Sequence, residues 1–402
     1  MIRKVLFSKQ DIPCLEGNKM DSPTILNNIK SVQQSVDKAN GLSNEHYIDP
    51  LMFKEESEAI IKSSWSGLAV GADIPNIGDA KPLDFLGIPL LLIRDNDFRV
   101  RVFENICRHR GMKLINHPKK IEGAIRCPYH SWCYAKTGDL ISTPHVGGPG
   151  KNLHRSIAKE DLGLNEVRSY VWRDVIFVNI SGKAQDFDDT HAELIERWSE
   201  FDGPMYHGGE DSKFSLNLAS NYKLVVENYC ESYHLPWVHP GLNSYSRLED
   251  HYNIVDYGKF SGQGTRVYEQ FKGEDGQAAF PDFPNLSGKW SEGAEYIAVY
   301  PNVLLGVQRD HTFAIILNPM SYNETMEHIH FYYATSTTDA KTRKINAKQW
   351  KEVFEEDIFV VQGMQSGRYA PSFDGGRFSP VMDKATHCFH DWIAGKIDAY
   401  RS

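Results

Sequence analysis

Two short cysteine–histidine pairs constrain this sequence more than any other feature. They are Cys107-Arg-His109 and Cys127-Pro-Tyr-His130, with residues 110–126 between them. Two thiolates and two imidazoles can hold a [2Fe–2S] cluster, with both cysteines on one iron and both histidines on the other. Because neutral imidazoles replace anionic thiolates, such a cluster has a higher reduction potential than one held by four cysteines, and it can accept electrons from such a cluster.

Zinc is the alternative for the same four residues, since two cysteines and two histidines are also a zinc ligand set. Zinc fingers usually place both cysteines in one half of the motif and both histidines in the other. Here each half contains one residue of each type. The pattern therefore favours the iron–sulfur cluster, with a zinc-stabilised binding module as the alternative.

The residues around the two pairs closely resemble the cluster-binding loops of Rieske oxygenase α subunits. The matching segments are 105–111 (NICRHRG), 127–134 (CPYHSWCY) and 138–140 (GDL). Cys133 lies at a variable position of that motif, and we interpret it as a packed thiol. The resemblance implies an antiparallel β-sandwich that holds a Rieske [2Fe–2S] cluster on Cys107, His109, Cys127 and His130.

A second group of titratable residues lies in the otherwise apolar segment 221–239. Burying such groups is costly unless they have partners. His234 and His239 are five residues apart, which on a straight helix would point them about 140° from each other. Pro236 lies between them and is expected to end the helix, so that His239 can turn back toward the same metal.

The third ligand of that metal is predicted on a later helix, at about residues 346–365. Asp357 lies beside an apolar stripe on this helix, and a buried acid requires a cation. Two histidines and one carboxylate form the facial triad of non-haem Fe(II) oxygenases, which leaves positions open for O₂ and substrate. The neighbouring acids Glu355 and Glu356 are the alternatives for the third ligand.

The resemblance to the same oxygenases extends to segments 227–239 and 355–362, and it spans about residues 47–392. It implies a helix-grip, START-like catalytic domain in which His234, His239 and Asp357 bind mononuclear Fe²⁺. It also implies a homotrimer, in which the cluster of one subunit serves the iron of its neighbour. Glu231 is the implied catalytic residue, which passes electrons from His130 toward the His234 side. A buried acid in an ion pair is the alternative role for Glu231.

These observations predict an α+β chain in three parts: an N-terminal arm and helix (1–58), the Rieske domain (59–180) and the catalytic domain (181–402). A hairpin is predicted at 90–104. In the catalytic domain we expect a helix from Leu216 to near Pro236, a loop-rich aromatic stretch at 245–290, and strands at 303–307, 312–317 and 327–335.

Composition excludes several other classes of protein. A formal net charge of −9 argues against a nucleic-acid partner. The longest uncharged apolar stretch, 85–93, is far shorter than the roughly 20 residues that span a bilayer. The N-terminus reaches Lys9 and Asp11 before any apolar region, unlike a secretory signal. We therefore expect a cytoplasmic protein with no membrane partner.

The family resemblance implies a terminal oxygenase that uses O₂ and electrons from NAD(P)H, delivered by a separate ferredoxin-type reductase. Segment 239–246 (HPGLNSYS) resembles the choline and glycine betaine monooxygenase branch, so we expect a quaternary ammonium substrate such as choline, a betaine or carnitine. Aromatic rings that attract such a cation follow in the sequence. They are Tyr252, Tyr257, Tyr268, Phe271, Phe280, Phe283, Trp290 and Tyr296.

The alternative substrate is an aromatic acid, which requires a cation facing the iron, such as Arg247, Arg266 or Arg309. A simple electron carrier is a further alternative, but it needs neither a second metal site nor a second domain of about 200 residues.

Overall fold

The computed structural model describes residues 22–256, 258–272, 276, 278–373 and 375–402. Helices α1 (Ser22–Val32), α2 (Glu45–Ile48) and α3 (Pro50–Glu56) precede the first strand, and a π-helical turn, Ser57–Ile61, continues α3. The strands that follow are β1 (Ser66–Val70), β2 (Asp79–Phe85), β3 (Ile88–Arg94), β4 (Val100–Glu104), β5 (Lys119–Lys120), β6 (Ile125–Arg126), β7 (Cys133–Tyr134), β8 (Leu140–Ser142), β9 (Arg168–Trp172) and β10 (Val175–Asn179).

These strands form small antiparallel sheets with the orders β4-β3-β2-β5, β6-β7-β8 and β1-β10-β9. The hairpin predicted at 90–104 is confirmed, because β3 pairs with β4 from Leu90–Glu104 to Arg94–Val100. Its turn is held by Asp95, whose Oδ1 atom accepts from the backbone N–H groups of Asp97 and Arg99 at 2.9 and 2.8 Å. This half of the chain has its own small core, which includes Cys107 and Cys127.

The second half of the chain is built on a larger antiparallel sheet. Its strands are β11 (Tyr206–His207), β12 (Lys213–Leu218), β13 (His251–Asp256), β14 (Phe260–Thr265), β15 (Ala294–Val299), β16 (Val303–Val307), β17 (His311–Ser321) and β18 (Glu324–Tyr333). The order is β11-β18-β17-β16-β15-β14-β13, and β12 also pairs with β18. The predicted α+β class with an antiparallel sheet is confirmed.

The helices of this half are α4 (Phe187–Thr190), α5 (Ala192–Arg197), α6 (Tyr222–Cys230), α7 (Leu235–Val238), α8 (Pro240–Asn243), α9 (Lys289–Glu292), α10 (Ala340–Gly367) and α11 (Lys384–Arg401). Helix α6 contacts β14, β15 and β17, and α10 and α11 pack against α6. Within the described ranges, none of the helices combines the length and the apolar character that a membrane crossing requires.

The helix predicted from Leu216 to near Pro236 is wrong at both ends. Leu216 belongs to β12, and helix α6 begins only at Tyr222, where the side chain of Asn221 accepts from the N–H of Lys223 at 3.0 Å. The helix ends at Cys230. Pro236 is in the first turn of the separate helix α7, a position where the missing N–H of proline costs nothing. Proline therefore starts a helix here instead of ending one.

The stretch 245–290, predicted to be rich in loops, contains strands β13 and β14. Strand β14 was missed because its glycines have low strand propensity. The reason for one of them is steric, since a Cβ atom at Gly264 would lie 2.3 Å from the ring of Tyr252 on the neighbouring strand. Helix α11 was not predicted either, although it buries Phe389 and Ile393 in the main core.

Candidate metal centres and the cavities beside them

The two cysteine–histidine loops have the same backbone geometry. In each, the cysteine N–H donates to a carbonyl five residues later, and the cysteine carbonyl accepts from the N–H four residues later. The pairs are Cys107–Met112 (2.8 Å), Cys107–Gly111 (2.9 Å), Cys127–Trp132 (2.8 Å) and Cys127–Ser131 (3.1 Å). Gly111 and Ser131 both have left-handed backbone, with φ of 70° and 56°. Each loop is thus a tight turn around its cysteine.

The thiols and the imidazoles of these loops lie in different environments. Cys107 and Cys127 are buried in the small core, whereas His109 and His130 are exposed. The two imidazole rings are in edge-to-face contact with centroids 4.8 Å apart, and His109 also stacks on Trp132. A two-iron cluster with its thiolate side inward and its imidazole side at the surface fits this arrangement.

Tyr134 supports the first of these cysteines. Its hydroxyl oxygen lies 3.2 Å from the Sγ atom of Cys107 and accepts from the backbone N–H of Arg108 at 2.9 Å. The hydroxyl hydrogen is therefore free to point at the sulfur, where it would stabilise a thiolate. Cys133, the cysteine interpreted as packed, is buried, and its thiol donates to the carbonyl of Ser131 at 3.2 Å.

A single zinc ion would need its four ligand atoms within about 4 Å of one another, because its bonds are about 2.0–2.3 Å long. Within the described part of the chain, one group of three or more His, Cys, Asp or Glu side chains has ligand atoms as close as 4.8 Å. It is His234, His239 and Asp357. The four loop residues are not such a group.

His234 and His239 flank the short helix α7 at its N-terminal and C-terminal ends. One turn of helix brings both rings to the same side, with centroids 5.1 Å apart. Asp357 reaches them from α10, with its Oδ1 atom 3.7 Å from His234 Nε2 and 3.0 Å from His239 Nε2. Two imidazole nitrogens and one carboxylate oxygen fit the donor set of a mononuclear Fe²⁺ with open positions.

The sequence left Glu355, Glu356 and Asp357 as candidates for the third ligand, and in the structure these acids point to different places. Only Asp357 faces the two Nε2 atoms. Glu355 pairs with Lys351 on the outer face of α10. Glu356 lies beside the other nitrogen of His239, with Oε2 2.7 Å from Nδ1. Glu231, the predicted catalytic residue, makes the matching contact with His234, with Oε1 2.6 Å from Nδ1.

Both histidines therefore point Nδ1 at a carboxylate and Nε2 at Asp357. A hydrogen on Nδ1, donated to Glu231 or Glu356, leaves the lone pair of Nε2 for a metal. Glu231 also accepts from the backbone N–H of His234 at 3.2 Å, which fixes the carboxylate at the end of α6. Sequence reasoning identified Glu231 but treated Glu356 only as an alternative ligand.

Three other polar residues of α6, Lys223, Glu227 and Asn228, have partners. Lys223 contacts Glu56 at 2.6 Å, and Asn228 donates to the Oδ1 atom of Asp357 at 3.2 Å. Glu227 accepts from the hydroxyl of Tyr47 at 2.5 Å and lies 3.1 Å from His390 Nε2. Burial acts to raise the pKa of Glu227, but the charge and hydrogen bond of His390 bring that pKa below its usual value. These contacts fix the helix that precedes the two histidines.

A cavity of about 70 Å³ lies beside the three candidate ligands. Five aromatic rings line it, and they are Tyr229, Tyr296, Phe313, Trp350 and Phe354. We call it the inner cavity. A second cavity of about 320 Å³, the outer cavity, shares Leu242, Trp350 and Val353 with it. The two cavities are therefore neighbours, and these three residues lie between them.

Few of the aromatic residues predicted to surround a cation line these cavities. Tyr296 lines the inner cavity, and Tyr268 and Phe271 line the outer one. Tyr257 lies outside the described residues. The others pack in cores or line a separate cavity, and they are Tyr252, Phe280, Phe283 and Trp290.

The sequence analysis did not predict that Tyr229, Phe313, Trp350 and Phe354 line the inner cavity. A signal for two of these was present in α10. Trp350, Val353, Phe354 and Asp357 have the spacing of one helix face, so the predicted carboxylate ligand marked the rings beside it.

The three arginines that an aromatic acid would require do not reach the inner cavity. Arg309 forms an ion pair with Asp282, Arg266 lies over the ring of Tyr252, and Arg247 lies 3.8 Å from Glu249. Of the described residues that line the inner cavity, none is lysine or arginine.

Comparison with known proteins gives two family matches, one that contains the cysteine–histidine loops and one that contains the candidate iron ligands. Residues 64–164 match the family described as Rieske [2Fe-2S] domain, and residues 206–399 match the ring hydroxylating alpha subunit (catalytic domain).

Similar proteins cover most of the chain at low identity. The carnitine monooxygenase oxygenase subunit of Acinetobacter pittii (strain PHEA-2) is 24% identical over 336 residues, which are 82% of this chain and 85% of the relative. The putrescine 2-hydroxylase of Ralstonia nicotianae is 25% identical over 391 residues, which are 93% of this chain and 100% of the relative.

A solved structure with the same fold is that of a quaternary ammonium Rieske monooxygenase, described with insights into carnitine oxidation by gut microbiota and inter-subunit electron transfer. It has a TM-score of 0.72 at 20% identity and covers 90% of this chain and 96% of that one.

Proposed function

This chain is an oxidoreductase of the Rieske oxygenase family, with a Rieske [2Fe–2S] domain joined to a ring-hydroxylating α subunit catalytic domain, and we propose that it hydroxylates a quaternary ammonium compound. The proposed substrate is of the choline, betaine or carnitine type, attacked at or beside an N-methyl group. Hydroxylation of an N-methyl carbon gives a product that releases formaldehyde.

The aromatic inner cavity carries this proposal. A trimethylammonium group is attracted to ring faces by about 0.5–2 kcal/mol per well-placed ring. The cavity offers five rings, and no lysine or arginine is among the described residues that line it. An aromatic carboxylate would find no lysine or arginine partner among these residues, whereas a trimethylammonium group would meet the ring faces. The relatives named for carnitine and putrescine support the same choice of a positively charged substrate.

Each residue of the two centres has a proposed role. Cys107, His109, Cys127 and His130 hold the cluster, and His234, His239 and Asp357 hold Fe²⁺. When bound, the two groups supply oxygen activation and electrons, so that one oxygen atom of O₂ enters the substrate and the other leaves as water. Glu231 and Glu356 hold the Nδ1 protons of the iron-binding histidines. The aromatic walls exclude water and orient the substrate.

The proposed domains are the arm and helix (1–58), the Rieske domain (59–180) and the catalytic domain (181–402). The proposed assembly is a homotrimer in which the cluster of one subunit serves the iron of the next, with Glu231 on the route from His130. The exposure of His109 and His130 supports this, because both imidazoles are accessible to another subunit. A ferredoxin-type reductase supplies electrons from NAD(P)H, and the proposed location is the cytoplasm.

The test is substrate-dependent NADH consumption by the reconstituted enzyme with a surrogate reductase. Choline, glycine betaine and carnitine are compared with benzoate and phthalate, and product is measured against NADH consumed. We expect an aldehyde or hydroxylated product from an ammonium compound in about equal amount to the NADH. The Asp357→Ala variant serves as the control for NADH oxidation without chemistry. Coupling only to aromatic acids would overturn the proposal.

A further inference from the structure

The indole ring of Trp350 lies where the two cavities meet. It lines both the inner and the outer cavity. Its ring centroid is 4.9 Å from that of Phe313 and 5.5 Å from that of Phe354, so it belongs to the aromatic wall of the candidate iron site. A substrate that enters through the outer cavity therefore contacts this ring before it reaches the metal ligands.

The ring is oriented by a hydrogen bond to a buried histidine. The Nε1–H group of Trp350 donates to the Nε2 atom of His311 at 2.7 Å. An indole nitrogen can only donate, so Nε2 of His311 carries the lone pair and the ring hydrogen is on Nδ1. The Nδ1–H group of His311 in turn donates to the Oδ1 atom of Asp310 at 2.9 Å. These two hydrogen bonds link the carboxylate of Asp310, the imidazole of His311 and the indole of Trp350 in one chain.

Asp310 is the fixed end of this chain. It is fully buried, and it also accepts from the hydroxyl of Tyr268 at 2.7 Å and from the backbone N–H of Phe271 at 3.0 Å. Burial acts to raise the pKa of Asp310, whereas the hydrogen bonds from His311, Tyr268 and Phe271 act to lower it. Because all three groups donate, they stabilise the ionised form of the carboxylate. Because Tyr268 and Phe271 line the outer cavity, one buried charge organises three of its walls.

We infer that the buried Asp310–His311 pair positions and polarises Trp350 as the ring face that receives the positively charged nitrogen of the substrate. The inference rests on the proposed function, which supplies an ammonium substrate. Tryptophan is the ring that attracts cations most strongly, and the attraction depends on the negative potential of its face. A donor N–H that faces an imidazole backed by a carboxylate moves electron density into the ring.

Two effects of Asp310 therefore act in the same direction. Through His311 it makes the face of Trp350 more negative, and its own charge attracts a cation through surroundings of low dielectric constant. A neutral ligand of the same shape gains from neither effect. The Asp310–His311 pair is therefore predicted to determine how strongly the site prefers a charged ligand to a neutral one. The size of the Trp350 ring determines only how well a ligand of either kind fits.

The test compares two ligands with the anaerobic holoenzyme by titration calorimetry. One is choline, and the other is 3,3-dimethylbutan-1-ol, in which a tert-butyl group replaces the trimethylammonium group. We expect Trp350→Leu to weaken choline binding by about 2- to 30-fold more than it weakens binding of the neutral alcohol. Trp350→Phe keeps a ring but loses the N–H group, so its loss of charge selectivity should be smaller.

Asp310→Asn tests the positioning role, since it keeps the shape of the side chain and removes the charge. We expect it to lower the ratio of choline to alcohol affinity while the alcohol affinity changes little. Trp237→Leu is the control, because Trp237 is exposed and lines neither cavity. The visible spectrum of the cluster and the melting temperature establish that each variant is folded.

The outcomes separate this inference from the function on which it rests. If Trp350→Leu and Trp350→Phe weaken both ligands equally, the ring is only an apolar wall and the inference is overturned. An unchanged affinity ratio in Asp310→Asn overturns the role of the pair even if the ring contributes. If the wild-type enzyme couples an ammonium substrate to NADH consumption while either result holds, the proposed function stands and only this inference fails. If the wild-type enzyme binds no ammonium compound, both are overturned.

Discussion

Glu356 lies 2.7 Å from the Nδ1 atom of His239, and this contact mirrors the 2.6 Å contact between Glu231 and His234. Each of the two histidines thus has its own carboxylate on Nδ1, the nitrogen that faces away from Asp357. Such carboxylates fix the ring orientation and raise the basicity of the metal-binding nitrogen. Glu231 directly follows α6 and Glu356 is in α10, so the metal site depends on the packing of these helices.

Glu356→Gln is expected to weaken Fe²⁺ binding by about 10- to 100-fold, because the amide cannot carry the charge that attracts the Nδ1 hydrogen. The measurement is an anaerobic Fe²⁺ titration of the apo-site, together with the EPR spectrum of the nitric oxide adduct. Glu355→Gln is the matched control, since Glu355 lies on the same turn and pairs with Lys351 away from the site. Equal Fe²⁺ affinity in the two variants would show that Glu356 is only a surface acid.

Cys107→Ser is expected to lose the iron–sulfur cluster, since it removes one of four ligands. Visible absorption and EPR of the reduced protein measure this directly. Cys133→Ser is the matched control, because Cys133 is also buried in the same small domain but its thiol donates to the carbonyl of Ser131. A cluster signal that survives Cys107→Ser, or one that disappears in Cys133→Ser, would contradict the ligand set.

The cluster loops could be predicted from sequence because their geometry is local. Each loop closes on its own cysteine through hydrogen bonds to residues four and five positions later, so a short motif contains the whole turn. His234 and His239 were paired for a partly wrong reason, since helix α7 and not a helix end at Pro236 brings them together. The structure places Asp357 beside them, and the role of all three as ligands stays a prediction.

The cavity walls could not be predicted in the same way. Tyr229, Phe313 and Trp350 come from α6, β17 and α10, and only the packing of these elements brings the rings together. Composition pointed instead to the aromatic stretch at 252–296, where most rings pack in cores. The contact between His311 and Trp350 joins residues 39 positions apart, so no local pattern indicates it.

Glu231→Gln, with its iron site filled by excess Fe²⁺, is expected to slow oxidation of a prereduced cluster by about 10- to 100-fold, because the residue orients His234 without binding the metal itself. Stopped-flow absorbance with substrate and O₂ measures that rate. Glu249→Gln is a suitable control, since Glu249 is an exposed acid beside Arg247. Oxidation of the Glu231→Gln cluster at the wild-type rate would sink this role.

A buried histidine outside the site should make stability depend on pH. His191 stacks on Phe187, and burial lowers its pKa to about 4. In the unfolded chain the same group titrates near about 6.5, so the unfolded state binds more protons between these values. The stability that His191 contributes is therefore complete above about pH 6.5 and is lost as the pH falls toward 4.

At about pH 5 this loss should be about 2 kcal/mol relative to neutral pH. His191→Gln should remove that part of the pH dependence, which is measured as the difference in unfolding free energy between the two pH values for variant and wild type. His154→Gln is the control, because His154 is exposed. Acid also protonates the metal ligands, but this affects variant and wild type equally and cancels when their pH-dependent changes in unfolding free energy are subtracted. An identical pH dependence in His191→Gln and wild type would contradict the prediction.

Mixed trimers test whether electrons cross between subunits. Cys107→Ser should lack the cluster and keep the iron, whereas Asp357→Ala should lack the iron and keep the cluster, and each variant alone should be inactive. In a cyclic trimer every interface is of one head-to-tail kind. Any mixed trimer of the two variants then contains one interface in which an intact cluster faces an intact iron. If the two variants are coexpressed with different tags and purified over both, about one site in three should be active.

Electron transfer within one subunit predicts no recovery, since no chain in the mixture holds both centres. Recovery near one third requires both the trimer and the crossing, and a fully inactive but correctly assembled mixture would exclude the proposed route through Glu231.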